Sequence, residues 1–510
     1  MENKYLIFNR MIHLRPISII DEYGNSRVIE LNKSEAIEYV LEQNIKLNEP
    51  LFYYLSIAEW QERVEKSKEI FEEFDKVKED ISNQLLEDNE LRKLIDANSE
   101  KMDNNIKGFI LPITVNNNDE YKKKVQRMLV EYSDAVNKPA FESECNLIHD
   151  VKLICDNIIE ALNLAIEGKD NEAEIILSDV LKIYANHEFG VSELNNSYAF
   201  RGIAPFEKAH TCIGYEDKYK QMMSGDLSFY RARVVDKNSN EEIDKIDHII
   251  SLPFSKRYKA KDMRFSLKDE VCLYLGTTSY ICSKESKWVE EQQKLYMAAF
   301  KFNDQGKKLN ILNLTVSEFL INGIFNKGLD KDEYSRELQS IMIKIFPLII
   351  ATSFTVNNSD EIRKEKYKEV IKYEYLLSQR LIKAIQKVNI DGVAYLSRQG
   401  ENDLQYPHGV NLAVPMGDIC ERKEYSDLYK CFEITKPILL NEENLKKEIS
   451  EEISYINKHY LEFHYDNADF TIPNIMSTVF YKDKQVFYGK TPFSKLDNYL
   501  ATQEYYEFHI

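Results

Sequence analysis

Residues 263–288, MRFSLKDEVCLYLGTTSYICSKESKW, constrain this chain more than any other stretch. Val271, Leu273 and Leu275 alternate with Cys272, Tyr274 and Gly276, the period of a strand. A shorter alternation of Met263, Phe265 and Leu267 puts Arg264 in a β-type run as well. Thr277 and Thr278 then offer capping hydroxyls to a helix over Tyr280 to Trp288, which sets Glu285 about two turns in. A guanidinium, a phenol and a carboxylate on three adjoining elements can meet in one cleft. Such a cleft suits a ligand with phosphates, an aromatic ring and a bond whose cleavage leaves positive charge.

The chain around it, 510 residues in all, has length for two or three domains, because single cores stop growing near ~250–300 residues. Tyr5–Phe8, Ile17–Ile20 and Val28–Leu31 read as strands, the last after a turn at Tyr23-Gly24-Asn25. Asn32 or Ser34 caps a helix that runs to about Leu47. From Ile57 to about Met102 the pattern is long, charged and helical, with Trp60, Val64, Ile70, Phe71, Phe74 and Val77 on one face. Helices follow at about 119–137, 144–168 and 171–186, the last two a hairpin joined at Gly168-Lys169-Asp170-Asn171. Asn195-Asn196-Ser197 to Gly202 reads as a linker. After Lys436-Pro437 come a charged helix at 443–456 and strands rich in Tyr and Phe.

Composition removes several classes of function. A net charge of −18, from 67 basic and 85 acidic residues, repels phosphate backbones, and no basic stripe offsets it, so no nucleic-acid partner is expected. No apolar run approaches the ~18–20 residues of a membrane span, and the N-terminus has no apolar signal core, so a cytoplasmic protein without membrane partner is expected. Seven cysteines form no CxxC pair, and Cys145, Cys155 and Cys282 read as core thiols in a reducing compartment. The nine histidines show no metal-ligand spacing, so no metal or resident cofactor is expected. With 16 glycines and no G-x-x-x-x-G-K-[ST], G-x-G-x-x-G or G-x-S-x-G, phosphate would have to be held by arginines.

Further blocks flank the central stretch in a fixed order. Phe229-Tyr230-Arg231-Ala232-Arg233 and Ile250-Ser251-Leu252-Pro253-Phe254 precede it. Phe346–Ser353, Glu374–Gln379, Asp391–Arg398 and Asn411–Pro415 follow. Tyr274 lies ten residues after Arg264, and Glu285 eleven after Tyr274. In order and spacing, residues 225–435 resemble the RES domain of bacterial NAD-degrading toxins, a relative of the ADP-ribosyltransferase fold.

The resemblance implies an α+β chain, with a mixed sheet and flanking helices as its catalytic core. The domains would be 1–200, mainly helical with a strand-like start, then 201–440, RES-like and catalytic, then 441–510, an α/β extension packed on the core. It implies Arg264, Tyr274 and Glu285 as catalytic residues. Arg231 and Arg264 would chelate phosphate oxygens. Tyr274 would stack on nicotinamide or bond the ribose, Glu285 would stabilise the cation, and Ser397 and Asn411 would contact the substrate. Asn411, Ser353 and Glu374 are lesser candidates, for which a structural role is the readier reading. The residues alone allow blander roles: a structural ion pair for either arginine (Arg233 competes with Arg231), a core tyrosine, a helix-surface glutamate and a turn-capping serine.

The implied activity is that of an NAD glycohydrolase or NAD phosphorylase, with NAD as substrate rather than cofactor, in a toxin or anti-phage effector. Transfer of ADP-ribose to a protein is the alternative, and a non-catalytic adaptor with a decayed fold is the alternative of another class. A small antitoxin, a defence-system partner or a second copy of the chain would be its protein partners, with the N-terminal region as scaffold or restraint.

Overall fold

The computed structural model describes residues 109–137, 145–201, 227–329, 333–356, 372–398, 409–417, 423–440 and 491–508, with residue 141 and short pieces within 5–58 and 478–488. The helix expected at 443–456 lies outside the described residues, as does the 57–102 pattern but for Ala58.

Alternating apolar residues build one ten-stranded sheet. Its strands are β1 (Val191–Glu193), β2 (Ser228–Asp236), β3 (Cys272–Gly276), β4 (Gln293–Phe302), β5 (Asn310–Leu314), β6 (Gly392–Leu396), β7 (Val410–Pro415), β8 (Phe432–Thr435), β9 (Ile438–Leu439) and β10 (Tyr505–Glu507). They run in the order β10-β8-β4-β2-β3-β7-β6-β5-β1, and β9 pairs with β4. The β5–β6 pair is parallel, while β7 pairs antiparallel with both β6 and β3. Between β2 and β3 the ladder is a single pair, Tyr230 with Gly276.

The helices are α1 (Asn118–Val136), α2 (Cys145–Ile166), α3 (Asp170–Tyr184), α4 (Ser279–Glu285), α5 (Glu318–Lys327), α6 (Glu333–Thr352), α7 (Tyr373–Lys387) and α8 (Pro492–Ala501). With strands and helices both abundant, the chain is α+β, as expected from its sequence. The α2–α3 hairpin turns at Gly168, whose φ of +76° is the left-handed conformation that glycine adopts freely. Cys155 and Cys282 are buried as expected, but Cys145 opens α2 exposed.

Two faces of the sheet bury separate cores. Leu312, Leu314, Val393 and Ala413 face a helical layer that includes Val151, Ile158 and Leu162 of α2, Leu177 and Leu181 of α3, and Ile343 and Phe346 of α6. Leu273, Leu275, Ile311, Leu412 and Val414 pack on the other face with Phe229, Phe300, Tyr429 and Phe432. A third cluster joins Tyr230, Leu295 and Met297 to α4 and to Phe493, Leu496 and Leu500 of α8.

These cores move the expected domain boundaries. One compact unit comprises residues 106–468 and 472–510, and a second comprises 1–105 with 469–471. Residue 200 is therefore no boundary: α1, α2 and α3 cover the sheet rather than forming a domain ahead of it. The period of an amphipathic helix fixes which face is buried, not which partner buries it. Nor is 195–201 a linker, since Ser197, Tyr198, Ala199 and Phe200 are buried and Arg201 donates to Asn195 O and Oδ1, both at 2.8 Å. The C-terminal segment joins the same fold, with β10 paired to β8.

In the smaller unit, residues 5–9 pair antiparallel with 30–31 and 52–56, and 18–20 pair with 26–28. Asn32 caps the next helix reciprocally: Glu35 N donates to Asn32 Oδ1 at 3.0 Å and Asn32 N to Glu35 Oε2 at 2.9 Å.

Candidate active site

The site begins where β3 runs into α4. Thr278 ends the strand and caps the helix, its hydroxyl accepting from Ile281 N at 3.2 Å, as the pair of threonines predicts. The helix ends at Glu285 instead of continuing to Trp288, because Lys287 adopts a left-handed φ of 51°. It lies so close to the sheet that a Cβ on Gly276 would stand 2.5 Å from Ile281 Cγ2 and 2.8 Å from Cys282 Sγ. Cys282 Sγ donates to Tyr230 O at 3.1 Å, which ties α4 to β2 as well.

The start of α4 is anchored to α8. Ser279 N donates to Asp497 Oδ1 at 3.1 Å, and Ser279 Oγ donates to Phe493 O at 3.2 Å. Asp497 also accepts from the Tyr488 hydroxyl, and burial pushes its carboxyl pKa up to about 7. A carboxyl with a raised folded pKa binds its proton more tightly in the folded than in the unfolded state. Its contribution to stability is thus complete below its ordinary value near 4 and is lost as pH rises through about 7, a swing of roughly 4 kcal/mol. Asp497→Asn keeps the acceptor for Ser279 N and removes the titration. Thermal unfolding between pH 5 and 8 should therefore show a Tm that falls with pH in the wild type and is flatter in the variant. Equal slopes in both would exclude Asp497 as the cause.

Strand register brings the remaining groups together. Asn411 pairs with Gly276 on one side and with Tyr395 on the other, so Gly276, Asn411 and Tyr395 share one sheet face. Ser397 lies just past β6, held by its N–H to Gly409 O at 2.8 Å. Because Gly276 carries no side chain, α4 sits low and Glu285 reaches this face. Glu285 Oε1 accepts from Ser397 Oγ at 2.7 Å and from Asn411 Nδ2 at 2.7 Å. These charge-assisted bonds fix the carboxylate. Three of the residues singled out in the sequence meet here through direct hydrogen bonds.

Arg264 arrives differently. Met263 and Ser266 form an isolated antiparallel bridge, so Arg264 occupies a tight turn and not the strand that the alternation suggested. Its guanidinium donates to Thr352 O and, at 3.2 Å, to Phe354 O, and lies 5.5 Å from the Tyr375 ring centre. It thereby meets the negative end of α6. Gln379 Nε2 secures the turn through Met263 O at 3.2 Å and Ser266 O at 3.3 Å. Tyr274 Oη donates to Ser266 Oγ at 3.0 Å, so its phenol is committed to the same turn.

Burial, then the negative charge of Glu285, push the Tyr395 phenol upward, and Arg264 opposes them. Tyr375 is raised by burial, is lowered by Arg264, and feels Glu285 as well. Arg264, Glu285, Tyr375 and Tyr395 thus share one electrostatic neighbourhood. Both tyrosines went unnoticed as site residues. Tyr395 had a signal, since it stands two residues before Ser397 and strand alternation puts both on one face. Tyr375 had none.

Arg231 does not join this group. Its Nε donates to Ile249 O at 2.7 Å and its Nη1 to Tyr274 O at 2.9 Å. It bridges β2 and β3 where their ladder is a single pair, and burial lowers its pKa. Backbone carbonyls take two of its nitrogens, which gives Arg231 a structural role between β2 and β3. Arg233 points to His248 O and to Glu241 Oε1, the latter at 2.7 Å. Ser353 and Glu374 are buried at the end of α6 and in the first turn of α7.

Among the described residues, no group of three or more His, Cys, Asp or Glu is placed to hold a metal ion, and no helix is long and apolar enough to cross a membrane. Over 259 residues the chain is 23% identical to a protein of Bacillus subtilis (strain 168) described as "Putative toxin YopC". The similarity is to a protein described as a toxin. The aligned stretch is 48% of this chain and 54% of that protein, so the chain spans about half the length of the curated relative it matches. No family model and no solved structure matches.

Proposed function

We propose that this chain is a toxin that cleaves the nicotinamide–ribose bond of NAD. The observation that carries the reading is the Glu285 carboxylate, held through Oε1 by Ser397 and Asn411 in the neighbourhood of Arg264. As the glycosidic bond breaks, its electron pair leaves with the nicotinamide nitrogen and the anomeric carbon takes on oxocarbenium character. Negative charge fixed beside that carbon stabilises the transition state more than the ground state. Oxygen of water then bonds to the anomeric carbon and loses a proton, giving ADP-ribose; inorganic phosphate in its place gives the phosphorylated sugar. Tyr375, whose ring meets the Arg264 guanidinium, and Tyr395 belong to the same neighbourhood, and Tyr274 holds the turn that carries Arg264. The RES-like order of these residues and the similarity to a protein described as a toxin support the same reading.

The test is incubation of the full chain with NAD, with and without phosphate and EDTA, followed by chromatography of the products. Free nicotinamide should appear with phosphate present whether or not EDTA is added; release without phosphate identifies water as an acceptor, and the mass of the sugar product distinguishes the two. A folded chain at stoichiometric concentration that releases no nicotinamide would refute the reading.

A further inference from the structure

Arg398 follows Ser397, the residue that holds Glu285, at the exit of β6. Its side chain is only 9% exposed, yet the carboxylate it approaches, Glu318 Oε2, is 3.9 Å away, at the outer limit of an ion pair. Its Nε is buried and donates no hydrogen bond among the described residues. A guanidinium has five N–H donors, and burying it without partners is costly, which is why buried arginines are normally saturated. Glu318 has less need of this cation. It is partly exposed and stands in the first turn of α5, where the helix dipole already favours a carboxylate.

The surroundings increase the imbalance. Burial pulls the Arg398 pKa down to about 10; Glu318 opposes this and the like charge of Arg264 adds to it. At neutral pH Arg398 remains charged, and among the described residues the carboxylate paired with it is the distant one of Glu318. A buried guanidinium with unfilled donors is a receptor for an anion with several oxygens, and its planar fork matches a phosphoryl group.

We infer that Arg398 binds a phosphoryl group of the ligand beside the Ser397–Glu285 pair. The inference rests on the reading of this site as one that takes a phosphorylated substrate. The phosphoryl group could come from the dinucleotide or from free phosphate, and the chemistry of recognition is the same.

The experiment measures thermal unfolding of the full chain against inorganic phosphate alone and ADP-ribose alone, in wild type, Arg398→Met and Arg398→Lys. Wild-type Tm should rise with at least one of them. Arg398→Met, which replaces an unsatisfied cation by an apolar chain, should match or exceed wild-type Tm without anion and show at least a tenfold weaker anion response. Arg398→Lys, which keeps the charge but not the fork, should fall between. A response to phosphate that competes with ADP-ribose assigns the subsite to a free anion, and a response to ADP-ribose alone assigns it to the nucleotide. Either supports the inference when Arg398→Met loses it. The inference is overturned if wild type responds to neither, if Arg398→Met responds like wild type, or if Arg398→Met unfolds several degrees lower, which would make the residue part of the scaffold. Failure of the proposed NAD cleavage looks different: wild type would bind ADP-ribose through Arg398 and release no nicotinamide.

Discussion

Glu285→Gln should release nicotinamide ~10²–10³-fold more slowly than wild type while unfolding at nearly the same temperature. Glutamine keeps a side-chain oxygen where Oε1 accepts from Ser397 and Asn411, so both 2.7 Å contacts have an acceptor and only the charge is lost. Glu285→Ala is the blunter variant, because it also leaves buried Asn411 Nδ2 without that acceptor. Affinity for NAD should change little in the glutamine variant, since the carboxylate acts on charge that develops only as the bond breaks. Single-turnover rates beside ligand-binding isotherms separate the two effects. Turnover within tenfold of wild type would mean that Glu285 holds strands together and does no chemistry.

Arg264→Ala should be the most destabilising single change at the site, by about 2–4 kcal/mol, and should abolish activity with it. The guanidinium is the donor to the carbonyls of Thr352 and Phe354, two residues that are 5% and 0% exposed. Alanine leaves both oxygens without that donor and removes positive charge from the carboxyl end of α6. Denaturant titration reads this as a lower midpoint at unchanged slope. Arg264→Lys should recover part of the stability, because an ammonium restores charge but cannot fork between two carbonyls. If alanine costs no stability and weakens NAD binding alone, the guanidinium serves the ligand and the carbonyls have other donors.

Local pattern carried a good part of this structure. The alternation of residues 271–276 is β3, the threonine pair does cap α4, and the helices expected at 119–137, 144–168 and 171–186 begin and end within two residues of those limits. Each of these is decided by neighbours a few positions away. What escaped depends on partners far along the chain. Arg264 looked like a strand residue because Met263, Phe265 and Leu267 alternate, but Gln379, more than a hundred residues later, closes the segment into a turn. Arg231 and Arg233 are equivalent in sequence, and tertiary structure alone sends one to Tyr274 O and the other to a surface glutamate. Arg398 carried no local sign of burial, and charged residues after a strand are ordinarily solvated. Glu285, Ser397 and Asn411 were each singled out through ordered resemblance, but their hydrogen bonds to one another were not, because they too join partners far apart in the chain.

The sheet narrows to one rung between β2 and β3. In its hydrogen bonding it is two plates joined at a point, and load passing between them takes side-chain routes. One is the Arg231 fork, another is α4, whose Cys282 grips β2 while its carboxyl end carries Glu285 over β7. Twisting one plate against the other therefore strains the hydrogen bonds of the Glu285 carboxylate along with the core that Phe229 and Phe300 share with Leu273 and Leu412, and the alignment of those bonds becomes a gauge of how the two plates sit.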